Sequence, residues 1–295
     1  MLTFGGHRLD GSGGMRRLGG EGLAARFFQQ SSWAAHAVAL ERPLARVPEG
    51  VDPDLTGPFG CSISTGAGTI LNELRPLPGS AVAIFGARNV CLAAVMAARL
   101  TGATHIIAVD NVPERLALAR ELGATNTLEH GADTVAGLKE LCGDRLDYAI
   151  EATDGSNLVG EGIAALGIRD TCAMVGGAKM TAEISANHPD VLMHGKRIIG
   201  VMGGGGQTPM FLESLMELHR QGRFPVEKLV RFYDFAEVNQ AIDDSDAGRT
   251  AKPILRMPGC GAAHEHHLPR ERPRASPVGR SPGPCCSTRC ASDLG

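Results

Sequence analysis

A short loop after an apolar segment has residues that could bind the phosphates of a dinucleotide. The loop Gly86-Ala87-Arg88-Asn89-Val90-Cys91 directly follows the apolar run Ala81–Phe85. Loops of the pattern G-x-G-x-x-G/A hold a pyrophosphate at a helix N-terminus, where backbone N–H groups and the helix dipole favour an anion. Arg88 replaces the second glycine and would crowd the pyrophosphate, whereas Cys91 is small enough for the third position. We therefore expect a dinucleotide loop that Arg88 weakens.

An acidic residue further along the chain could select the type of dinucleotide. Asp110 lies 24 residues after Gly86, at the end of the apolar run His105–Val109, and Arg115 follows it. An acid at this place accepts hydrogen bonds from the adenosine ribose and repels a 2′-phosphate, which favours NAD over NADP. Asp110 taken alone could equally be an ordinary helix cap. The loop and Arg115 nearby favour the ribose role.

These groups come together only if the apolar runs form a parallel sheet. Between Leu55 and Pro258 apolar runs alternate with helical patterns. The strands are predicted at 81–85, 105–109, 146–150 and 171–175, and the helices at 89–100, 113–122, 158–166 and 210–220. Strands that alternate with single helices form right-handed βαβ units. We predict an α/β fold with a doubly wound parallel sheet of the Rossmann type.

The composition is that of a globular chain without a charge signal for nucleic acid. Hydrophobic residues make up 43% and charged residues 21%, and the net charge is −3. We expect no nucleic-acid partner and no membrane partner, because no basic excess and no apolar run of roughly 18 residues is present. The arginines of the first 20 residues are not followed by the apolar stretch of a signal peptide. Cys61, Cys91, Cys142 and Cys172 lie inside apolar patterns typical of free thiols, which predicts a cytoplasmic protein.

Several separate motifs follow one another in the order of a known family. They are Phe27–Trp33, Gly60–Gly68, Phe85-Gly86, Ile107–Asp110, Pro113–Leu116, Gln221–Pro225 and Gly248–Arg256. Together they resemble the zinc-dependent medium-chain alcohol dehydrogenases, above all the aryl-alcohol (benzyl alcohol) branch, over most of residues 4–258. The resemblance implies hydride transfer between NAD and a primary alcohol or aldehyde, of the aryl type. It also implies a homo-oligomer formed through the sheet edge near Arg197–Val201.

The resemblance assigns roles to individual residues. It implies that Cys61 is the last of three zinc ligands, that Thr65 lies beneath the nicotinamide as a catalytic and cofactor-binding residue, and that Val90 packs behind that ring. Lys252 falls where the family places a basic residue for the pyrophosphate. The full set of expected cofactor-binding residues is Thr65, Gly86, Arg88, Val90, Asp110, Arg115, Val175 and Lys252.

The zinc site departs from the family pattern. The earlier Cys and His ligands belong to a part of the catalytic domain that the resemblance places before residue 1, so we expect an N-terminally truncated chain. Cys61 cannot hold a catalytic zinc alone, because such a site needs three protein ligands and one open position. His7 and His36, the only histidines before Cys61, are interpreted as surface or packing residues. We expect His188, His194 and His219 to be solvated, and the motif His264–His267 to lie in a sequence too rich in Pro and Arg to support a metal site.

Four segments follow from this resemblance. Residues 1–56 are expected to be a remnant of a GroES-like catalytic domain, 57–203 the NAD-binding domain, 204–258 a return to the catalytic domain, and 259–295 a disordered tail. Two main functional hypotheses stay open: an NAD-dependent alcohol dehydrogenase, and a cofactor-binding remnant without turnover that could still dimerise. A zinc-free reductase is a third possibility, which the presence of Cys61 disfavours.

Overall fold

A computed structural model describes residues 15–16, 19–20, 22–23, 44–153, 155–179, 181–206 and 208–257. The motif Phe27–Trp33, His7, His36 and the predicted tail 259–295 lie outside the described residues. Internal contacts group residues 1–259 into one unit and 260–295 into another, and all described residues belong to the first.

Ten strands occur among the described residues. They are β1 (Met15–Arg16), β2 (Gly22–Leu23), β3 (Ala81–Phe85), β4 (His105–Asp110), β5 (Asn126–Glu129), β6 (Leu146–Glu151), β7 (Leu166–Met174), β8 (Arg197–Gly200), β9 (Val230–Asp234) and β10 (Lys252–Arg256). Strands β3 to β8 form a parallel sheet of order β5-β4-β3-β6-β7-β8, while β1 pairs with β2 and β9 with β10. The chain enters the sheet at its centre, runs outward to β5 and crosses back to β6. This reversal between β3 and β6 is where doubly wound sheets bind their ligands.

Eight α-helices flank these strands in the described part of the chain. They are α1 (Ser62–Gly68), α2 (Asn89–Thr101), α3 (Pro113–Leu122), α4 (Thr134–Cys142), α5 (Ser156–Ala165), α6 (His188–His194), α7 (Pro209–Arg220) and α8 (Val238–Asp246). None of the described helices is both long and apolar enough to cross a bilayer.

The core is built from small side chains on both faces of the sheet. All five residues of β3 are buried, and so is the stretch Cys91–Ala98 of α2. At Gly66 helix α1 comes so close to α2 that an added Cβ would lie 1.9 Å from the carbonyl oxygen of Val90. Small residues such as Ala, Val and Gly therefore fill much of the core by close packing, which is consistent with an aromatic content of only 4%.

The sequence predictions of fold class and central elements are confirmed. Helix α3 spans Pro113–Leu122 as predicted, and β3 spans Ala81–Phe85. Strand β7 starts five residues earlier than predicted, at Leu166, directly after α5. Its first half is irregular: Arg169 has a φ of +67° and the pairing with β6 shifts between Leu146 and Tyr148. Ile168 and Arg169 are exposed there, so no buried apolar run marks the strand in the sequence.

Candidate dinucleotide cleft

A cleft of about 280 Å³ opens at the carboxyl end of the sheet, at the reversal point. The loops after β3, β4 and β6 form most of its wall. Its lining residues include Gly86, Arg88, Cys91, Asp110, Arg115, His130 and Thr153. The structure thus brings four of the predicted cofactor-binding residues, Gly86, Arg88, Asp110 and Arg115, around one cleft.

Gly86 makes the turn from β3 into α2 in a conformation that requires glycine. Its φ is +98°, and an added Cβ would lie 2.9 Å from both Cys91 Sγ and Thr153 Cγ2. Burial raises the pKa of the Cys91 thiol to about 12, so this group stays protonated and serves packing. The sulfur lies 3.5 Å from the carbonyl oxygen of Phe85. A missing Cβ at Gly86 and a small Cys91 together let the helix start close to the strand.

The N-terminus of α2 has features that suit an anionic or hydrogen-bonding ligand. Arg88 is the N-cap residue, and its side chain does not cap the helix. The amide oxygen of Asn89 is buried without a hydrogen-bond partner in the described structure. This oxygen only accepts hydrogen bonds, so it suits a donor such as a ribose hydroxyl, whereas the backbone N–H groups of a first helical turn attract phosphate groups. The turn and the helix end therefore fit a dinucleotide pyrophosphate.

Arg88 lines this cleft and reaches a residue far along the chain. Its Nη2 donates a hydrogen bond of 3.2 Å to the carbonyl oxygen of Ser245, at the end of α8. Its backbone is extended, with φ −93° and ψ −173°, so the position does not need glycine conformationally. Arg88 connects two parts of the chain that are 157 residues apart.

Asp110 is buried at the end of β4 and held by backbone donors. Its Oδ2 accepts a hydrogen bond from the Ala87 amide at 2.7 Å, and its Oδ1 accepts one from the Val112 amide at 2.9 Å. Arg115 Nη1 lies 3.7 Å from Oδ1, and the Asp110 side chain is only 6% exposed. The N-cap of α3 is Val112, not Asp110. The carboxylate thus ties the loop after β3 to the loop after β4 and keeps both at the edge of the cleft.

Three further predicted residues lie together where α1 meets α2. Cys61 is the exposed N-cap residue of α1, and its carbonyl oxygen accepts a hydrogen bond from the Thr65 amide at 2.9 Å. Thr65 precedes Gly66, which packs directly against the backbone of Val90. Thr65 and Val90 are both half-buried.

Val175 and Lys252 lie apart from the first group. Val175 follows β7, and its amide donates to the carbonyl oxygen of Glu151 at 2.8 Å, which places it beside the end of β6. Lys252 begins β10 and pairs with Val230. Lys252 does not line the cleft as the described residues define it.

The residues around Cys61 do not fit a catalytic zinc. In the described ranges, no three His, Cys, Asp or Glu residues lie close enough together to hold a metal ion. Zinc bound through one thiolate lacks the three protein ligands of catalytic sites. The described residues therefore supply no zinc centre that could polarise a substrate oxygen.

The expectation that His219 is solvated is wrong. Its side chain is 13% exposed, and Nδ1–H donates to the carbonyl oxygen of Phe224 at 3.1 Å. Its ring centroid lies 6.1 Å from that of Phe59. The helical pattern of α7 placed His219 on the polar face, but the chain after α7 folds back and covers it. His188 and His194 are exposed, as expected.

Sequence reasoning missed two groups at the cleft. His130, after β5, lines it, and its Nε2 lies 3.0 Å from an Oε2 of Glu161 on α5. The segment 245–249 approaches Arg88 and Arg115 from the far end of the chain. Neither group has a motif that marks it, because each is defined by elements that are distant in sequence.

Comparisons with known proteins find dehydrogenases similar to this chain. The profile of the zinc-binding dehydrogenase family matches residues 90–219. The chain is 34% identical over 257 residues to geraniol dehydrogenase of Castellaniella defragrans, covering 86% of this chain and 69% of the relative. Curated relatives are matched over 62% to 69% of their length.

Two solved structures are also similar. An alcohol dehydrogenase zinc-binding domain protein from Burkholderia ambifaria matches with a TM-score of 0.82 and 45% identity, over 87% of this chain and 70% of that one. Benzyl alcohol dehydrogenase from Acinetobacter calcoaceticus matches with a TM-score of 0.79 and 38% identity, over 86% and 70%.

Proposed function

Because this chain belongs to the zinc-type alcohol dehydrogenase family, we propose that its cleft binds NAD(H) for the oxidation of a primary alcohol. The observation that carries the proposal is the pairing of the Gly86 turn with the buried Asp110 at the sheet reversal. One holds the helix end where a pyrophosphate would bind, and the other places a carboxylate where an adenosine ribose would bind.

Each predicted residue has a role in this proposal. Gly86 and the amides of the α2 N-terminus bind the pyrophosphate. Asp110, steadied by Arg115, accepts hydrogen bonds from the ribose. Thr65 and Val90, which lie together at the α1–α2 contact, hold the nicotinamide, and Val175 borders it. Lys252, which like Thr65, Val90 and Val175 is outside the residues that line the cleft, contributes its positive charge near the pyrophosphate.

The substrate class follows from the named relatives. Geraniol and benzyl alcohol are both primary alcohols whose hydroxyl carbon is bonded to an unsaturated carbon. When bound, NAD accepts the hydride from such a carbon and becomes NADH. We propose an allylic or aryl primary alcohol as the substrate.

A second candidate function is a cofactor-binding module without turnover. The observation that favours it is the isolation of Cys61 from other metal ligands within the described residues. A zinc Lewis acid stabilises the transition state by several kcal/mol, and each ~1.36 kcal/mol is a factor of ten in rate. The module would therefore bind NADH but oxidise alcohols very slowly.

A titration and a turnover assay distinguish the two functions. We expect saturable NADH fluorescence enhancement at one NADH per chain. Benzyl alcohol and geraniol are then offered with NAD, with and without added zinc. Binding with zinc-dependent turnover supports the enzyme, binding without turnover supports the module, and the absence of binding contradicts both.

The zinc content is a direct test of the Cys61 environment. We expect less than one zinc per chain after dialysis against a mild chelator, because a single thiolate holds the ion weakly. Elemental analysis measures this ratio. One tightly held zinc per chain would show that the ligand set is complete, and Cys61→Ser would then be expected to release it.

We also propose that two copies associate along β8. Among the described strands β8 has a hydrogen-bonded neighbour only on the β7 side. An edge strand of this kind can pair with a second copy. Sedimentation analysis of the protein and of Gly200→Pro tests this, because the Val201 amide donates to β7 and the Gly200 amide therefore faces the free side of β8. We expect the variant to be a monomer. A monomer mass for the unmodified protein would contradict the proposal.

A further inference from the structure

A second, smaller cavity adjoins the dinucleotide cleft and is lined by three arginines. It has a volume of about 150 Å³ and shares Arg88 and Arg115 with the cleft. Its other lining residues are Ala87, Glu114, Leu118, Gly248, Arg249, Thr250 and Ala251. Three guanidinium groups and the exposed carboxylate of Glu114 line the cavity, and Asp110 and Asp244 form ion pairs with Arg115 and Arg249.

All three guanidinium groups converge on the segment 244–249. Arg88 donates to the Ser245 carbonyl oxygen, as described above. Arg115 lies over Gly248, where an added Cβ would be 2.5 Å from its Nη2. Arg249 leaves the same segment, and its side chain is 56% exposed. The glycine at 248, with a φ of +76°, makes room for Arg115.

Arg249 is fixed in place by Asp244. Nε of Arg249 donates a hydrogen bond to Asp244 Oδ1 at 2.8 Å, and its Nη2 lies 2.8 Å from the same oxygen as an ion pair. Asp244 also accepts hydrogen bonds from the Tyr233 hydroxyl and the Gln240 amide. These donors lower the pKa of Asp244 to about 2, so the carboxylate stays charged and holds the guanidinium at the rim of the cavity.

The negative charge of Asp110 is already engaged, and Asp110 does not line this cavity. Both of its oxygens accept backbone hydrogen bonds, and Arg115 lies between it and Gly248. A phosphate placed beyond the ribose would therefore meet guanidinium groups rather than a bare carboxylate. Guanidinium groups bind phosphate oxygens through paired, charge-assisted hydrogen bonds.

We propose that Arg88, Arg115 and Arg249 form a phosphate subsite that takes the 2′-phosphate of NADP(H). The proposal rests on the proposed dinucleotide function of the adjoining cleft and extends it. An acid at position 110 alone predicts rejection of NADP, whereas the three arginines make the phosphorylated cofactor acceptable.

Calorimetric titration with two adenosine fragments isolates the subsite. Adenosine 5′-monophosphate and adenosine 2′,5′-bisphosphate differ in the 2′-phosphate alone. We expect the bisphosphate to bind about tenfold more tightly, the effect of one to two charge-assisted hydrogen bonds. Arg249→Ala should abolish this preference and leave the affinity for the monophosphate unchanged.

Arg231→Ala is the matched control. Arg231 also lies near Asp244, with Nη1 3.5 Å from Oδ2, and its side chain is 58% exposed, but it does not line the cavity. We expect this variant to keep the tenfold preference. If the preference for the bisphosphate falls equally in Arg249→Ala and Arg231→Ala, the proposal is overturned, because the preference would then depend on the net positive charge of the surface and not on the cavity.

The outcomes separate the subsite from the proposed function. Binding of the monophosphate with weaker binding of the bisphosphate overturns the subsite and leaves the NAD cleft in place. Failure of both fragments and of NADH to bind overturns the proposed function together with the subsite. A loss of affinity for both fragments in Arg249→Ala also overturns the assignment of Arg249 to the 2′-phosphate.

Discussion

Carboxylates at the two ends of the same parallel sheet have opposite environments. At the carboxyl end, Asp110 accepts two backbone hydrogen bonds, and Glu151 accepts one from the Thr153 amide at 2.6 Å. At the amino end, Asp147 accepts one from the Ala81 amide, and Asp170 lies close enough to Asp147 for the two charges to repel. Burial and Asp147 together raise the pKa of Asp170 to about 6.

The difference follows from the direction of the strands. Loops that follow parallel strands reach helix N-termini, whose amides donate to acids and anions. Loops that precede the strands have no such excess of donors. Carboxylates at the carboxyl end are therefore held by backbone donors near the cleft, whereas ionisation of Asp170 at the amino end is a cost to folding. The arginine-lined cavity lies at the carboxyl end of the sheet, where it adjoins the cleft.

A substitution at Gly86, at the carboxyl end of the sheet, should have the largest effect on stability and NADH affinity. We expect Gly86→Ala to lower the free energy of unfolding by about 3 kcal/mol and NADH affinity more than tenfold, because the Cβ overlaps Cys91 and Thr153 in a left-handed turn. Chemical denaturation and NADH fluorescence measure the two effects.

Gly79→Ala is the control for backbone strain alone. Gly79 has a similar φ of +91°, lies near the amino end of β3, and has nothing within 4 Å of an added Cβ. We expect a loss of about 1 kcal/mol and no change in NADH affinity. An equal effect of both variants on NADH would show that the turn at Gly86 does not shape the cleft.

Substitutions of Asp110 and Asp147 compare the carboxyl and amino ends of the sheet directly. Both oxygens of Asp110 accept a backbone hydrogen bond, and in Asp110→Asn the NH₂ group replaces one of these acceptors and faces a backbone N–H. We therefore expect the variant to lose about 2 kcal/mol of stability and about tenfold in NADH affinity. Asp147→Asn can still accept from the single Ala81 amide, and we expect a loss below about 1 kcal/mol with NADH affinity unchanged. If Asp147→Asn weakens NADH as much as Asp110→Asn, the division between the ends is wrong.

The sequence predicts the centre of this fold well for a physical reason. Strand β3 and helix α2 are buried on nearly every side, so their apolar runs survive in the sequence and fix the place of Gly86 and Asp110. Exposed or irregular segments leave no such trace: the first half of β7 is irregular and exposed around Arg169, and His219 is covered only by a later return of the chain. The arginine cavity could not be predicted either, because it joins residues 88, 115 and 249 through tertiary contacts alone.

The Arg88→Gly substitution tests whether Arg88 crowds the pyrophosphate at the carboxyl end of the sheet. We expect Arg88→Gly to tighten NADH binding by about threefold to fivefold, as space for the pyrophosphate is gained. The same variant should weaken adenosine 2′,5′-bisphosphate, since the guanidinium also lines the arginine cavity. Equal NADH affinities of variant and unmodified protein would refute the crowding argument.

The smallest effect is expected at Asp170, on the amino end. A carboxyl whose pKa is raised in the folded state holds its proton longer than in the unfolded chain, so the stability falls as the pH rises from about 4 to about 6. Asn cannot ionise, and Asp170→Asn should therefore stabilise the protein at pH 8 by about 0.5–1 kcal/mol after allowance for solvent screening, and hardly at all at pH 4.5. Denaturation at both pH values, with NADH affinity as a second readout that stays constant, measures this. A variant that is destabilised at pH 8 would show that Asp170 has a donor that outweighs its repulsion from Asp147, and the contrast between the two ends would then rest on geometry without an energetic difference.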